Sequence, residues 1–269
     1  MTVFSYLYYN ISDRKLEQKM LLGVNIDHIA TLRNARGGKE PDVYKAALFA
    51  SKCGVHNLTM HLREDRRHIK EDDVRKVCSI PELKVTLEMA ATDEMREFAL
   101  SVMPYKCCIV PERKNELTTE KGFDVAGENI PMMADNVMPE YQAQYIAEFI
   151  KPLFKAGIKV GLFLDPDKKQ IEAAKTTGVK SLELNTTAYS NAYGTNMEEE
   201  EFLKLKIAAE HAQDLGFEVN AGHGLTYNNV HRMHEIKGLH ELNVGHTIIA
   251  RAIFTGLEPA IIEMKRLIL

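Results

Sequence analysis

The chain has 269 residues, 45% of them hydrophobic and 27% charged, the balance of a globular protein that closes its core without disulfides or metal. A net charge of −4 gives no global attraction for nucleic acid or an anionic membrane. No apolar run reaches the roughly 20 residues that span a bilayer. The N-terminus lacks the basic region and small-residue cleavage site of a signal peptide, so the cytoplasm is the expected location. Cys53, Cys78, Cys107 and Cys108 show no C-x-x-C spacing and read as buried, reduced thiols.

Residues 1–19 precede the first strand-like run and read as an extension; residues 20–269 read as one catalytic domain. The first β-type run is 21–26. Helical spacing of Val43, Ala46, Ala47, Phe49 and Ala50 follows over 42–53, with Gly54 placed to end it. A second run covers 57–62 and a third 84–89. Thr92 then has the character of an N-cap, with Asp93 and Glu94 in the first turn and Met95, Phe98, Ala99 and Val102 as the buried stripe.

The fourth run is 106–110. The stretch after it, 112–139, is too long for a simple connection and is a candidate lid, with Gly122 and Gly127 as hinges. Helical pattern returns over 141–156, where Pro152 predicts a kink or break. Runs at 159–164, 181–184, 218–220 and 241–244 complete the set, with a helix over 197–215 between the sixth and seventh. An amphipathic helix over 258–269 ends the chain. Most of the runs are near-continuously apolar, as expected of parallel strands covered on both faces.

Eight strands alternating with helices over about 250 residues predict an α/β fold, a (β/α)8 TIM barrel with extra helices and a long loop after strand 4. A doubly wound open sheet is the rival, but no G-x-G-x-x-G follows the first strand. In a barrel the C-terminal strand ends surround one mouth. This sequence places titratable groups there repeatedly: Asn25, Asp27 and His28 after strand 1; His61, Arg63 and His68 after strand 2; Glu88 on strand 3; Glu183 on strand 6. Asn220 and His223 follow on strand 7, and Asn243 and His246 on strand 8. One such residue alone is more often structural. Convergence of all of them on one mouth predicts an active site with both acids and bases.

Gly222-His223-Gly224 and Gly245-His246 follow strands 7 and 8, where barrels bind phosphate through loop amides and a short extra helix, expected here over 247–252. Arg63 can reach the same mouth, and guanidinium matches phosphate oxygens. Arg66 and Arg67 read as structure or surface. No H-x-H or H-E-x-x-H spacing supports a metal site, and neither a G-x-S-x-G motif nor a positioned cysteine supports a nucleophile.

Four stretches carry a family resemblance: Gly23-Val-Asn-Ile-Asp-His-Ile-Ala-Thr-Leu-Arg-Asn-Ala-Arg36-Gly37, His61-Leu-Arg-Glu-Asp-Arg-Arg-His68, Asn220-Ala-Gly-His-Gly-Leu-Thr-Tyr227 and His240-Glu-Leu-Asn-Val-Gly-His246. From Met20 to the C-terminus the sequence resembles the pyridoxine 5′-phosphate synthase family. The resemblance implies a cofactor-free condensation of 1-deoxy-D-xylulose 5-phosphate with 3-amino-2-oxopropyl phosphate, giving pyridoxine 5′-phosphate, phosphate and water.

It also implies residue roles. His61 would be a general base, Glu88 a second acid/base, His223 a proton donor and Glu183 a stabiliser of transition-state charge. Asp27, His28, Arg63, His68 and Thr118 would hold the deoxyxylulose phosphate. Asn25, Arg36, Gly224, Gly245 and His246 would hold the amino-ketone phosphate. A homo-octamer is implied as well. The chain departs from the family at Asn185-Thr186-Thr187, where a His-Thr-Gly pattern is usual, and at Lys121-Gly122, where two glycines are common. Two readings of other kinds remain: a barrel that binds a sugar phosphate without turnover, and a metal-dependent aldolase or hydrolase.

Overall fold

The computed structural model describes residues 20–112, 116, 119–128 and 141–268. The extension 1–19, Thr118 and much of 112–139 lie outside the described residues.

Eight parallel strands close into a barrel in sequential order. They are β1 (Leu21–Asn25), β2 (Asn57–His61), β3 (Val85–Met89), β4 (Lys106–Ile109), β5 (Lys159–Leu164), β6 (Ser181–Asn185), β7 (Glu218–Gly222) and β8 (Glu241–Val244). The register aligns His61 with Glu88, and Glu183 with Asn220. Strands β6 and β7 run past the expected ends at 184 and 220. Asn185 and Gly222 still pair in the ladder, so polarity at the inner face does not end a strand there.

Among the described residues ten α-helices surround the barrel: α1 (Asp27–Arg36), α2 (Val43–Lys52), α3 (Glu71–Cys78), α4 (Asp93–Val102), α5 (Gln142–Lys155), α6 (Lys168–Thr177), α7 (Thr187–Ala192), α8 (Glu198–Asp214), α9 (His246–Thr255) and α10 (Leu257–Ile268). The caps follow the sequence. Asp42 accepts the Lys45 amide at 3.1 Å and Thr92 accepts that of Met95 at 3.4 Å. Gly54, just past α2, takes φ +68°.

Helix α5 runs through Pro152 without the expected break. The carbonyl that loses its partner belongs to Glu148, which is exposed to solvent, and Ala156 N–H closes the last turn on the Pro152 carbonyl at 3.0 Å. The lost bond therefore falls on the wet side of the helix, near its end, where it costs least.

Apolar packing is divided very unevenly. The large core lies between strands and helices, built from the outward-facing Val24, Leu58, Met60, Leu87, Leu162, Leu182, Val219 and Leu242. Inside the barrel the apolar cluster is Cys108, Val110 and Phe163. Alternation sends the other residue set inward, and that set is polar. Asn57 bonds Thr86 at 2.8 Å and Glu241 at 3.3 Å; Lys106 bonds Ser181 at 3.0 Å; Asn243 bonds Glu183 at 2.6 Å. Two glycines make room for it. A Cβ at Gly23 would stand 2.0 Å from Asn243 Oδ1, and one at Gly161 would stand 3.1 Å from Lys106 Cε. All four thiols are free; burial pushes that of Cys78 up to about 12 and raises those of Cys107 and Cys108 also.

Part of the long loop after β4 is docked on the barrel. Gly122 N–H donates to Asp165 Oδ1 at 2.8 Å and Phe123 N–H to the Phe163 carbonyl at 2.7 Å. The amides of Val125 and Ala126 share Gln170 Oε1, at 2.8 and 3.1 Å. Phe123 and Val125 are buried in the main core. Gly122 is a close-approach glycine, pressed against the backbone at the end of β5.

Candidate active site

A cavity of about 750 Å³ opens at the C-terminal ends of the strands. Of the residues expected at a site, Asn25, Asp27, His28, His61, Arg63, His68, Glu88, Glu183, His223, Gly224, Gly245 and His246 line it. Arg36 does not. It is the exposed last residue of α1, because nine further residues of helix carry it away from the mouth that Asp27 lines. Thr118 is outside the described residues; its neighbour Thr119 is on the wall.

Strand β1 turns directly into α1, and the turn is tied by its own side chains. Asn25 Oδ1 accepts the Asp27 amide and Asn25 Nδ2 donates to Asp27 Oδ2, both at 2.9 Å. Asp27 Oδ1 in turn accepts the His61 amide at 2.9 Å, locking the ends of β1 and β2 together. The loop after β2 is held from behind. Arg33 on α1 pairs with Asp73 at 2.6 Å, and Asn34 donates to the carbonyls of Arg67 and His68. Arg66 takes φ +50° and turns outward to Glu71 and Glu94. That turn brings Arg67 back onto the cavity wall, where its guanidinium bonds Asp65 and the Glu116 carbonyl.

On the far side, His223 holds φ +79° between two glycines, a conformation uncommon for a side-chain-bearing residue. Thr186 Oγ1 donates to the carbonyls of both Gly222 and His223, which secures the turn. Phe163 packs against the His223 ring at 6.1 Å. A Cβ at Gly222 would lie 2.5 Å from Glu183 Oε1, so the glycine admits that carboxylate. Gly245 caps the N-terminus of α9, against Asn25, and α9 is ten residues long where a short helix was expected. Its first residue, His246, meets His28 edge to face at 4.8 Å.

The titratable groups are tuned apart. Burial, then the carboxylates of Glu183 and Asp27, push Glu88 well above the usual carboxylate range, with Lys106 opposing. Burial pushes Glu183 up to about 7, while Lys106 and the Asn243 bond pull it down. Burial lowers His28, His68 and His223; the carboxylate of Asp27 opposes it at His28 and His68, that of Glu120 at His223, and neighbouring imidazoles, with Arg63 at His68, add to the lowering. The mouth therefore combines carboxyls whose pKa burial raises with imidazoles whose pKa burial lowers, a set able to move protons in both directions. Arg63, Arg67 and the amides opening α9 can receive phosphate. Glu112, one of the titratable residues that the sequence places at a strand end, after strand 4, but to which no role is given, bonds His61 Nε2 at 2.9 Å.

Comparisons with known proteins place the chain in a family. A family model described as pyridoxal phosphate biosynthesis protein PdxJ matches residues 22–269. A pyridoxine 5′-phosphate synthase from Sulfurihydrogenibium sp. (strain YO3AOP1) is 47% identical over 253 residues, covering 93% of this chain and 98% of that protein. Among solved structures, KGPDC from Streptococcus mutans superposes with a TM-score of 0.60 at 13% identity, covering 93% of this chain and 99% of that one. Phosphoribosylanthranilate isomerase from Thermotoga maritima does so at 0.55 and 12% identity, covering 92% and 97%. These structural likenesses speak to the barrel fold alone.

Proposed function

The chain belongs to the PdxJ family of pyridoxal phosphate biosynthesis proteins, and from that premise we infer that it is an enzyme that condenses 1-deoxy-D-xylulose 5-phosphate with 3-amino-2-oxopropyl phosphate. The products are pyridoxine 5′-phosphate, phosphate and water. The observation that carries this reading is the mouth itself, which brings His61, Glu88, Glu183 and His223 together with two groups of residues suited to anions. Imine formation, phosphate elimination, ring closure and dehydration each move protons, so several acid/base groups suit the chemistry better than one nucleophile. Holding both reactants in one cavity supplies part of the barrier by orientation.

We assign His61 as general base, Glu88 as a second acid/base, His223 as proton donor and Glu183 as the anion that faces developing positive charge. Asp27, His28, Arg63, His68 and Thr118 hold the deoxyxylulose phosphate. Asn25, Gly224, Gly245 and His246 hold the amino-ketone phosphate, which the N-terminus of α9 favours, and Arg36, placed outside the cavity, is left out of that set. A phosphate dianion arriving beside His223 favours the protonated ring, preparing it as a donor. Assembly as a homo-octamer in the cytoplasm belongs to the same proposal. Exposed Ile253 and Phe254 at the end of α9 form an apolar face that a second copy would cover. Mixing the protein with both phosphates and following pyridinol absorbance tests the reading; no product from active-site-intact protein would refute it.

Turnover is expected to survive exhaustive chelation. The motive is a mouth lined by Arg63 and Arg67, which oppose a dication, with no metal-ligand spacing in the sequence. Activity lost to chelator and restored by one divalent ion would contradict it.

Lys106 should set the pH range. Its ammonium lowers both Glu88 and Glu183. Lys106→Met removes that pull, so Glu183, already near 7, rises further and is ionised only at higher pH. If Glu183 acts as an anion, the acid limb of the kcat–pH profile moves to higher pH. An unmoved limb would assign it to another group.

A further inference from the structure

Glu112 stands where β4 gives way to the long loop, and the roles assigned above leave it out. Its side chain is 6% exposed, as is that of His61. Both carboxylate oxygens are committed. Oε1 lies 2.9 Å from His61 Nε2, and Oε2 accepts the backbone N–H of Glu64 at 2.9 Å. Burial works to raise its pKa, but the bonds from His61 and Glu64 and the charge of Arg63 outweigh it and hold the carboxyl below its ordinary range. At neutral pH it is an anion that can only accept. His61 Nε2 must then carry the hydrogen.

In a neutral imidazole that leaves the lone pair on Nδ1. Nδ1 faces Glu88 Oε2 at 3.9 Å, too far for a hydrogen bond, with both groups on the cavity wall. The free lone pair of His61 is thus directed at the place where a substrate atom would lie between the two.

We propose that Glu112 is a positioning residue that fixes the His61 tautomer and makes Nδ1 the nitrogen that takes the substrate proton. This rests on His61 being the general base. When Nδ1 takes a proton from a substrate C–H or O–H, the bonding pair stays with the substrate. The imidazolium that forms keeps its Nε2–H on Glu112, whose charge faces the new cation. Nδ1 later returns the proton to a departing oxygen. Glu112 neither gains nor loses a proton, and it does not touch substrate.

Glu112→Gln is the discriminating variant, because it keeps size and shape but has one acceptor in place of two. The Glu64 amide can only donate, so it claims the Gln oxygen. The Gln NH2 then faces His61 Nε2, which must present its lone pair, and the hydrogen moves to Nδ1. Ring-15N NMR of the substrate-free protein at pH 8, with the His61 signals identified by their loss in His61→Asn, reads this directly. The wild type should carry hydrogen on Nε2 and Glu112→Gln on Nδ1. In steady-state assays kcat should fall by about 10²-fold or more with KM little changed, and Glu112→Asp, which keeps two acceptors, should recover part of the loss.

Hydrogen on Nδ1 in the wild type would overturn the proposal whatever the kinetics. So would a Glu112→Gln protein with unaltered kcat, or one whose defect lies in KM with the tautomer unchanged, since either makes Glu112 a tie between two loops. Absence of condensation in the wild type would refute the functional reading, while the NMR result still decides the tautomer.

Discussion

His61→Asn and Glu88→Gln each lower kcat by about 10²–10⁴-fold, the scale of losing one positioned acid or base, while binding of deoxyxylulose phosphate stays measurable. His61 and Glu88 are register partners on adjacent strands, and their side chains reach the cavity side by side. Neither is a main contact for phosphate in the account above; that work falls to Arg63, His68 and the α9 amides. Asn keeps a polar group at 61 but cannot take a proton near neutral pH. Gln matches the shape of the protonated Glu88 carboxyl that burial and the neighbouring carboxylates favour, so the fold should be untouched and the loss confined to proton transfer. Calorimetric binding beside steady-state kinetics separates the two quantities. Turnover near wild type in either variant removes that residue from its assigned role.

Gly122→Ala is the second large effect, and it acts through backbone geometry. A methyl group at 122 would stand 2.0 Å from the Asp165 nitrogen and 2.4 Å from the Leu164 carbonyl carbon. These are backbone atoms at the end of β5, which cannot step aside as a side chain can. Residues 119–128 must lift, breaking the bonds from Gly122 to Asp165 and from Phe123 to Phe163. Overpacking of this kind costs about 1–3 kcal/mol. The lift also withdraws Thr119 from the cavity wall and Glu120, whose charge acts on His223, from its place. A loss of about tenfold or more in kcat/KM is expected, equivalent to 1.4 kcal/mol or more, with the circular dichroism of the barrel preserved and hydrogen exchange over 119–128 accelerated. Unchanged exchange and activity would show that this close contact does not exist in solution.

The barrel was legible because each strand pairs an apolar outward set with a polar end. Strand β5, bounded by Gly157 and Asp165, falls where its apolar run predicts. What the runs concealed was the interior. A sequence such as Leu58-Thr59-Met60-His61 reads as buried on both faces, and it is, but it does not tell that Thr59 and His61 face a polar lumen while Leu58 and Met60 carry the core. Pro152 was misleading because sequence does not tell which carbonyl, wet or dry, its ring deprives.

The lining of the cavity was legible where polar residues cluster at one strand end, as in Asn25 to His28 and His61 to His68. It was illegible where the backbone between decides. Arg66 and Arg67 are neighbours in sequence, but a single left-handed residue sends one to Glu71 and Glu94 and the other into the mouth. Arg36 shares a motif with Asp27, yet helical rotation separates them. The bond between Glu112 and His61 joins residues 51 apart, which no local pattern encodes.

The most direct test of the whole account is stoichiometric. Chelator-treated protein would be given 1-deoxy-D-xylulose 5-phosphate, 3-amino-2-oxopropyl phosphate, or both, and phosphate and pyridoxine 5′-phosphate would be measured together. The account predicts equimolar release of the two products with both substrates present, and neither product when either substrate is omitted. Phosphate released from one substrate alone without pyridoxine 5′-phosphate, or tight binding of both with no turnover, would contradict it.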